Sequence, residues 1–175
     1  MRKQKGFSLI ELLIVVAIIL IIAAIAVPSL LRSKMVSNES AAASTTRTIN
    51  TAQATFQSTW GLGYAANIAT LGDGGGGVAG ACVAKATAAC LIDTVLSTGK
   101  KQGYTYFSNG ESGAGTAASP FLDFATTAFP TLANTTGNRD FCAVSDMVIR
   151  AQQPSAATAA LAVAACVKLN PLQNQ

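Results

Sequence analysis

The chain has 175 residues, the length of one domain with room for an appended segment. Apolar residues make up 50% of it and charged residues 11%, well below the roughly 25% charged residues of an average soluble domain. There is no histidine, which excludes His-based general bases, Ser–His–Asp triads and the commonest metal ligand. The net charge is +4, but Arg2, Lys3 and Lys5 supply three of these charges and the other basic residues are scattered, so no nucleic-acid surface is expected.

An apolar segment dominates the N-terminal part of the chain. From Phe7 to Val27, Ser8 and Glu11 are the only residues that are not apolar. As a helix this segment would be about 30 Å long, which matches the hydrocarbon core of a bilayer. A charge at the bilayer centre costs roughly 2.5–3.5 kcal/mol on insertion scales, so an ionisable residue there indicates a function. Glu11 is therefore expected to have a specific partner.

Two general interpretations of this segment leave Glu11 unexplained. One is a secretory signal peptide, since basic residues precede the apolar run and Ala24-Ile25-Ala26 fits a signal peptidase site after Ala26. The other is a permanent single-span anchor. In either case the basic residues predict that the N-terminal end stays in the cytoplasm.

A third interpretation accounts for Glu11. The stretch Lys5-Gly6-Phe7-Ser8-Leu9-Ile10-Glu11 closely resembles the processing site of type IV pilins and their pseudopilin relatives. The resemblance implies that a prepilin peptidase cuts between Gly6 and Phe7 and methylates the new N-terminal amine of Phe7. It also implies that the Glu11 carboxylate meets the α-ammonium group of Phe7 on a neighbouring subunit of a filament. Pairing of Glu11 with Phe7 of its own chain, four residues away, remains open.

Pro28 follows the apolar segment at the spacing where the family has a proline. A proline inside a helix removes a backbone hydrogen bond and clashes with the preceding turn. Pro28 is therefore either a helix boundary or, as the resemblance implies, a point before which the helix loses order in the assembled filament.

The chain beyond Pro28 predicts an amphipathic continuation of the helix over residues 29–60. Its apolar positions recur at spacings near three, four and seven, and Gly61-Leu62-Gly63 is expected to end it after Trp60. Residues 61–81, which include the glycine run Gly74–Gly77, are expected to form a loop.

Four cysteines and no histidine in an exported chain favour two disulfides over a metal site. The expected pairing is sequential, Cys82 with Cys90 and Cys142 with Cys166, although four cysteines allow three connectivities and free thiols are the alternative. The resemblance supports the second pair, because pilins often close a C-terminal surface loop with a disulfide.

A short helix is expected at Ala84–Ser97. A bond between Cys82 and Cys90 requires a turn near Lys85–Thr87, because eight helical residues would separate the two Cα atoms by about 12 Å.

Four aromatic or β-branched runs predict an antiparallel meander whose apolar face covers the long helix. They are residues 103–108, 121–126, 140–144 and 147–151, with a turn at Ser145-Asp146. The fold class is therefore α+β, a long N-terminal helix on a small antiparallel sheet, which pilins share.

The remaining carboxylates show no catalytic pairing, and we expect them to be solvated. They are Asp73, Asp93, Glu111, Asp123, Asp140 and Asp146. No enzyme activity, cofactor or metal site is expected.

These observations predict a type IV pilus subunit with a leader at 1–6, a transmembrane and filament-core helix at 7–28, its amphipathic continuation at 29–60 and a globular head at 61–175. The resemblance implies an inner-membrane precursor that becomes part of an extracellular filament. It also implies as partners copies of the chain, the prepilin peptidase and methyltransferase, an assembly platform and a cytoplasmic ATPase.

Two alternatives remain open. The first is a pseudopilin of a type II secretion or competence system, although residues 153–175 contain no Asp or Glu for the calcium loop of the major secretion pseudopilin. The second is a secreted, disulfide-bonded binding domain released after Ala26.

Overall fold

The computed structural model describes residues 7–74, 82–155 and 160–172. It divides into two compact units, one ending at Lys34 and the other beginning at Met35. Helix α1 (Leu9–Trp60) has 52 residues and contributes to both units. Pro28 lies inside α1, so of the two alternatives for this proline the helix boundary is wrong. The long helix and its end at Trp60 are confirmed.

The unit that ends at Lys34 is almost wholly exposed. Its large apolar side chains from Phe7 to Leu31 are 46–84% exposed on all sides of the helix. A helix that is apolar all round belongs in a membrane or in the core of an assembly. Among the described residues, α1 is the one helix long and apolar enough to cross a bilayer.

The unit that begins at Met35 has a core built on one face of α1. Ala42, Ile49 and Phe56 are buried at intervals of seven residues, so they lie along one side of the helix. Beyond Trp60, Gly61 ends the helix in the left-handed conformation, with a φ of +64°. This conformation strains residues that have a Cβ, which explains the glycine.

Five antiparallel strands form one sheet in the order β1-β2-β3-β4-β5. Their bounds are Lys100–Lys101, Tyr104–Glu111, Asp123–Pro130, Asp140–Val144 and Arg150–Gln152. The four expected strands are present as β2 to β5, and β4 has the predicted bounds. Strand β1 was not expected from the sequence. It is a two-residue edge strand in which Lys100 pairs with Thr105 of β2.

Both faces of the sheet are covered. On one face, Tyr104, Tyr106 and Phe141 join the core formed with α1. On the other face, Cys142 and Val144 pack with residues 160–172. These residues, called the C-terminal segment below, contain the short helix α4 (Val163–Cys166). Burial on both sides explains why β3 is buried at seven consecutive positions instead of alternating. The α+β fold expected from the sequence is confirmed.

Two further short helices differ from the sequence-based expectation. Helix α2 (Ile68–Leu71) lies within the expected loop and is capped by Asn67, whose side chain accepts a hydrogen bond from Thr70 N. Helix α3 (Thr94–Ser97) is capped in the same way by Asp93. The helix expected at Ala84–Ser97 is therefore wrong except for its last turn. Residues 75–81, with Gly75–Gly77 of the glycine run, lie outside the described residues.

Both expected disulfides are present. The Cα atoms of Cys82 and Cys90 are 5.9 Å apart, and those of Cys142 and Cys166 are 5.8 Å apart. The turn required by the first bond is also present, because Lys85 N donates to Ala88 O at 3.0 Å. Cys82 is exposed, whereas Cys142 in β4 and Cys166 in α4 are fully buried.

The carboxylates have structural roles, and the expectation that all of them are solvated is wrong for Asp140. Its side chain is fully buried, and its Oδ2 accepts hydrogen bonds of 2.7 Å from both Ser155 N and Ser155 Oγ. A third hydrogen bond comes from Gln152 Nε2 at 3.3 Å. Asp140 thus ties the chain after β5 to the sheet. Glu111 similarly accepts from Val163 N at the start of α4.

The difference in disulfide exposure predicts selective reduction of the folded protein. Thiol–disulfide exchange requires access to a sulfur atom, so a mild reductant should open the Cys82–Cys90 bond first. Alkylation followed by peptide mass spectrometry should label Cys82 and Cys90, and all four cysteines only after denaturation. Equal labelling of Cys142 and Cys166 in the folded protein would contradict the buried position of the second bond.

Two buried tyrosines predict that the protein loses stability at alkaline pH. Burial raises the pKa of Tyr106 to about 12. Burial also raises the pKa of Tyr104, and the carboxylates of Glu39 and Asp140 add to this effect. Because the unfolded chain releases these protons near pH 10 while the folded chain keeps them, the free energy of unfolding should fall as pH rises above about 10.

Denaturant titrations at several alkaline pH values would measure this slope. Tyr106→Phe should make the slope shallower by up to about 1.4 kcal/mol per pH unit. A variant with the same slope as the wild type would show that Tyr106 is accessible to solvent.

Candidate functional site

Glu11 lies in the first turn of α1, three residues after Ser8. The helix begins at Leu9, so Ser8 occupies the position just before it. The Oε2 atom of Glu11 accepts a hydrogen bond from Ser8 N at 3.0 Å. This is one half of a capping box, in which a Glu at the third helical position satisfies the backbone N–H of the capping residue. The negative charge also lies at the positive end of the helix dipole.

The backbone N–H of Ser8 is thus a partner for Glu11 that was not expected from the sequence. The spacing Ser-x-x-Glu ahead of an apolar run is its sequence signal. The two expected partners were the Phe7 amine of a neighbour and that of the same chain. In the full sequence the Phe7 nitrogen is an amide, because Gly6 precedes it. A charged partner at Phe7 therefore exists only after cleavage.

The other predicted site residues are distributed along the N-terminal segment. Phe7 is 84% exposed and precedes α1. Pro28 lies within the helix, 17 residues after Glu11. Gly6, the residue before the expected cut, lies outside the described residues. Glu11 is the one charged residue from Phe7 to Leu31, so the acid has no charged neighbour nearby in the same segment.

The ion pairs of the unit that begins at Met35 are structural. The Lys101 ammonium group donates to Asp93 at 2.8 Å and lowers the pKa of that carboxyl group. The Arg150 guanidinium group donates to Asp146, four residues before it, and lowers the pKa of that carboxyl group. Glu39 on α1 accepts from Asn138 N at 2.6 Å and pairs with Arg139 at 3.6 Å, which joins the helix to the β3–β4 loop. Within the described ranges, no three Asp, Glu, Cys or His side chains meet as a metal site.

Comparison with known proteins places the similarity at the N-terminus. Residues 1–27 match the family described as the prokaryotic N-terminal methylation motif. The type IV wide pilus major component PilA4 of Thermus thermophilus is 56% identical over 39 residues, which are 22% of this chain and 30% of that protein. The chain thus matches less than a third of the length of this relative. No solved structure matches the chain.

The recognition of a type IV pilin-like N-terminus is therefore confirmed, and the α+β fold is pilin-like. The motif and the relative support a subunit of a type IV pilus or of a pseudopilus.

Proposed function

We propose that the chain is the structural subunit of a type IV pilus. The precursor is held in the inner membrane with its N-terminus in the cytoplasm. It is cleaved between Gly6 and Phe7, methylated at Phe7 and polymerised through α1 into an extracellular filament. The observation that carries this proposal is the position of Glu11, the fifth residue after the proposed cut, as the one charged residue of the exposed apolar segment from Phe7 to Leu31.

The proposed parts of the chain follow from this pathway. Residues 1–6 are the leader, residues 7–28 span the membrane and later form the filament core, residues 29–60 continue the helix and residues 61–175 form the head. The prepilin peptidase processes the precursor. An assembly platform and a cytoplasmic ATPase drive extension, as the resemblance to type IV pilins implies.

The hydrophobic effect contributes little to the alignment of neighbouring α1 helices in the filament. An apolar helix that leaves lipid for a bundle of similar helices exchanges one apolar environment for another. Specific contacts must then decide how neighbouring helices align. Opposite charges attract far more strongly in an apolar bundle than in water, and removal of one partner leaves the other uncompensated.

Glu11 has a partner before and after processing under this proposal. Before the cut, the neutral N–H of Ser8 satisfies one carboxylate oxygen at 3.0 Å. After the cut, the ammonium group of Phe7 on the next subunit offers a partner of opposite charge, and the attraction of two opposite charges is strong in an apolar bundle. Processing therefore creates the preferred partner, which would couple maturation to assembly.

The proposed processing predicts the N-terminus of the purified product. Intact-mass and N-terminal peptide mass spectrometry should find a chain that begins with methylated Phe7. A chain that begins at Val27 would instead indicate release by signal peptidase, and an intact Met1 would exclude processing. A Gly6→Pro variant serves as the control and should remain uncleaved.

Two substitutions at Glu11 separate its charge from its role as a helix cap. Glu11→Gln keeps a side chain that can accept from Ser8 N but removes the charge, whereas Glu11→Ala removes both. Because charge-assisted hydrogen bonds contribute about 1.5–3 kcal/mol, both variants should lower filament yield roughly tenfold or more. Membrane insertion and cleavage should be unaffected.

Sheared filaments can be quantified against total subunit by immunoblot. If Glu11→Gln assembled as well as the wild type and only Glu11→Ala failed, the cap and not the charge would be required. Equal failure of both variants, with normal cleavage, is the result expected here.

A further inference from the structure

The charged residues of α1 define a segment that differs from the one expected from the motif. Glu11 and Arg32 are separated by Leu12–Leu31, which are 20 uncharged residues. In a helix these residues measure about 30 Å, the thickness of a bilayer's hydrocarbon core. Ionisable side chains therefore lie at both ends of the segment. This boundary places Glu11 at the edge of the apolar core, where a charge costs less than at its centre.

Arg32 and Lys34 are placed to face a partner that surrounds the helix. Both are exposed. They are two residues apart, so their side chains leave α1 in directions that differ by about 160°. Across the described part of the chain, neither residue takes part in an ion pair. Lipid headgroups surround a helix where it leaves the bilayer, so both side chains can reach them.

The chemistry of these two side chains fits phospholipid phosphates. Arginine and lysine extend apolar stems along a helix and place their charged ends at the headgroup level. Arginine binds phosphate through two parallel hydrogen bonds, and lysine binds it as a point charge. The nearest acidic residue along the chain, Glu39, is already bonded to Asn138 and Arg139.

We propose that Arg32 and Lys34 bind phosphate groups of anionic phospholipids at the outer face of the inner membrane, where the uncharged part of α1 ends. This inference rests on the proposed membrane-anchored precursor. The basic pair at this end limits how far the helix of the precursor can move into the bilayer. Extraction into the filament then requires release of these lipids, so the basic pair also sets a cost for leaving the membrane.

The test uses the full chain in nanodiscs that contain phosphatidylglycerol and phosphatidylcholine. Native mass spectrometry measures the ratio of the two lipids that stay bound to the protein. Each cation near an anionic surface contributes about fivefold to binding, so Arg32→Gln/Lys34→Gln should lose most of the preference for phosphatidylglycerol. The control Arg47→Gln/Lys85→Gln removes the same charge from two exposed residues outside the apolar segment and should keep it.

Three results would overturn the inference. The first is an unchanged lipid ratio in the Arg32→Gln/Lys34→Gln variant, and the second is an equal loss in the control. The third is saturable binding of inorganic phosphate to the detergent-solubilised protein without lipid, which would indicate a free-anion site.

Resistance to alkaline carbonate extraction is measured in parallel. A wild-type chain that carbonate removes from membranes would contradict the anchor itself, whereas a retained chain with an unchanged lipid ratio would contradict only the lipid site.

Discussion

An acid in an apolar helix must be paired wherever the helix goes, and this constraint governs the N-terminal part of the molecule. Glu11 is satisfied within its own chain by Ser8 N at 3.0 Å. That bond is local, since it requires only the first turn of α1. A neutral N–H is a weaker partner for a carboxylate than an ammonium group. Under the proposed function, the carboxylate is paired in the precursor and prefers the amine that cleavage would expose.

The unit that begins at Met35 obeys a different constraint, the burial of a sheet on both faces. Helix α1 covers one face through residues such as Ile49 and Phe56. The C-terminal segment covers the other, where the Cys142–Cys166 bond attaches it to β4 and the Asp140–Ser155 hydrogen bonds attach the chain before it. These attachments are covalent or buried. The C-terminal segment is therefore held on the second face of the sheet by these attachments as well as by its few apolar residues.

Sequence patterns predicted the elements whose periodicity is strong. The helix from Leu9 to Trp60 has a continuous apolar run followed by a regular stripe, and β4 is a short apolar run ended by a turn. Strand β1 has two lysines and no alternation, so only its pairing with β2 defines it. The first part of the helix expected at Ala84–Ser97 is absent, because the ring closed by Cys82 and Cys90 imposes a turn on residues with helical preference.

Contacts between distant residues explain what the sequence could not predict at the site and in the core. The burial of Asp140 depends on Ser155, 15 residues later, and no local pattern indicates it. The Glu11–Ser8 bond, by contrast, had a recognisable spacing. The proposed pairing of Glu11 with Phe7 of another copy is a contact between subunits, so the structure of a single chain does not contain it.

A cryo-electron microscopy structure of the assembled filament tests this account most directly. The quantity to measure is the distance between the nitrogen of methylated Phe7 and the nearest Glu11 carboxylate oxygen of the adjacent subunit. We expect an ion pair between subunits at a distance of about 2.7–2.9 Å, typical of a charge-assisted hydrogen bond. Filaments in which Glu11 contacts only Ser8 of its own chain, with Phe7 of every neighbour out of reach, would contradict it.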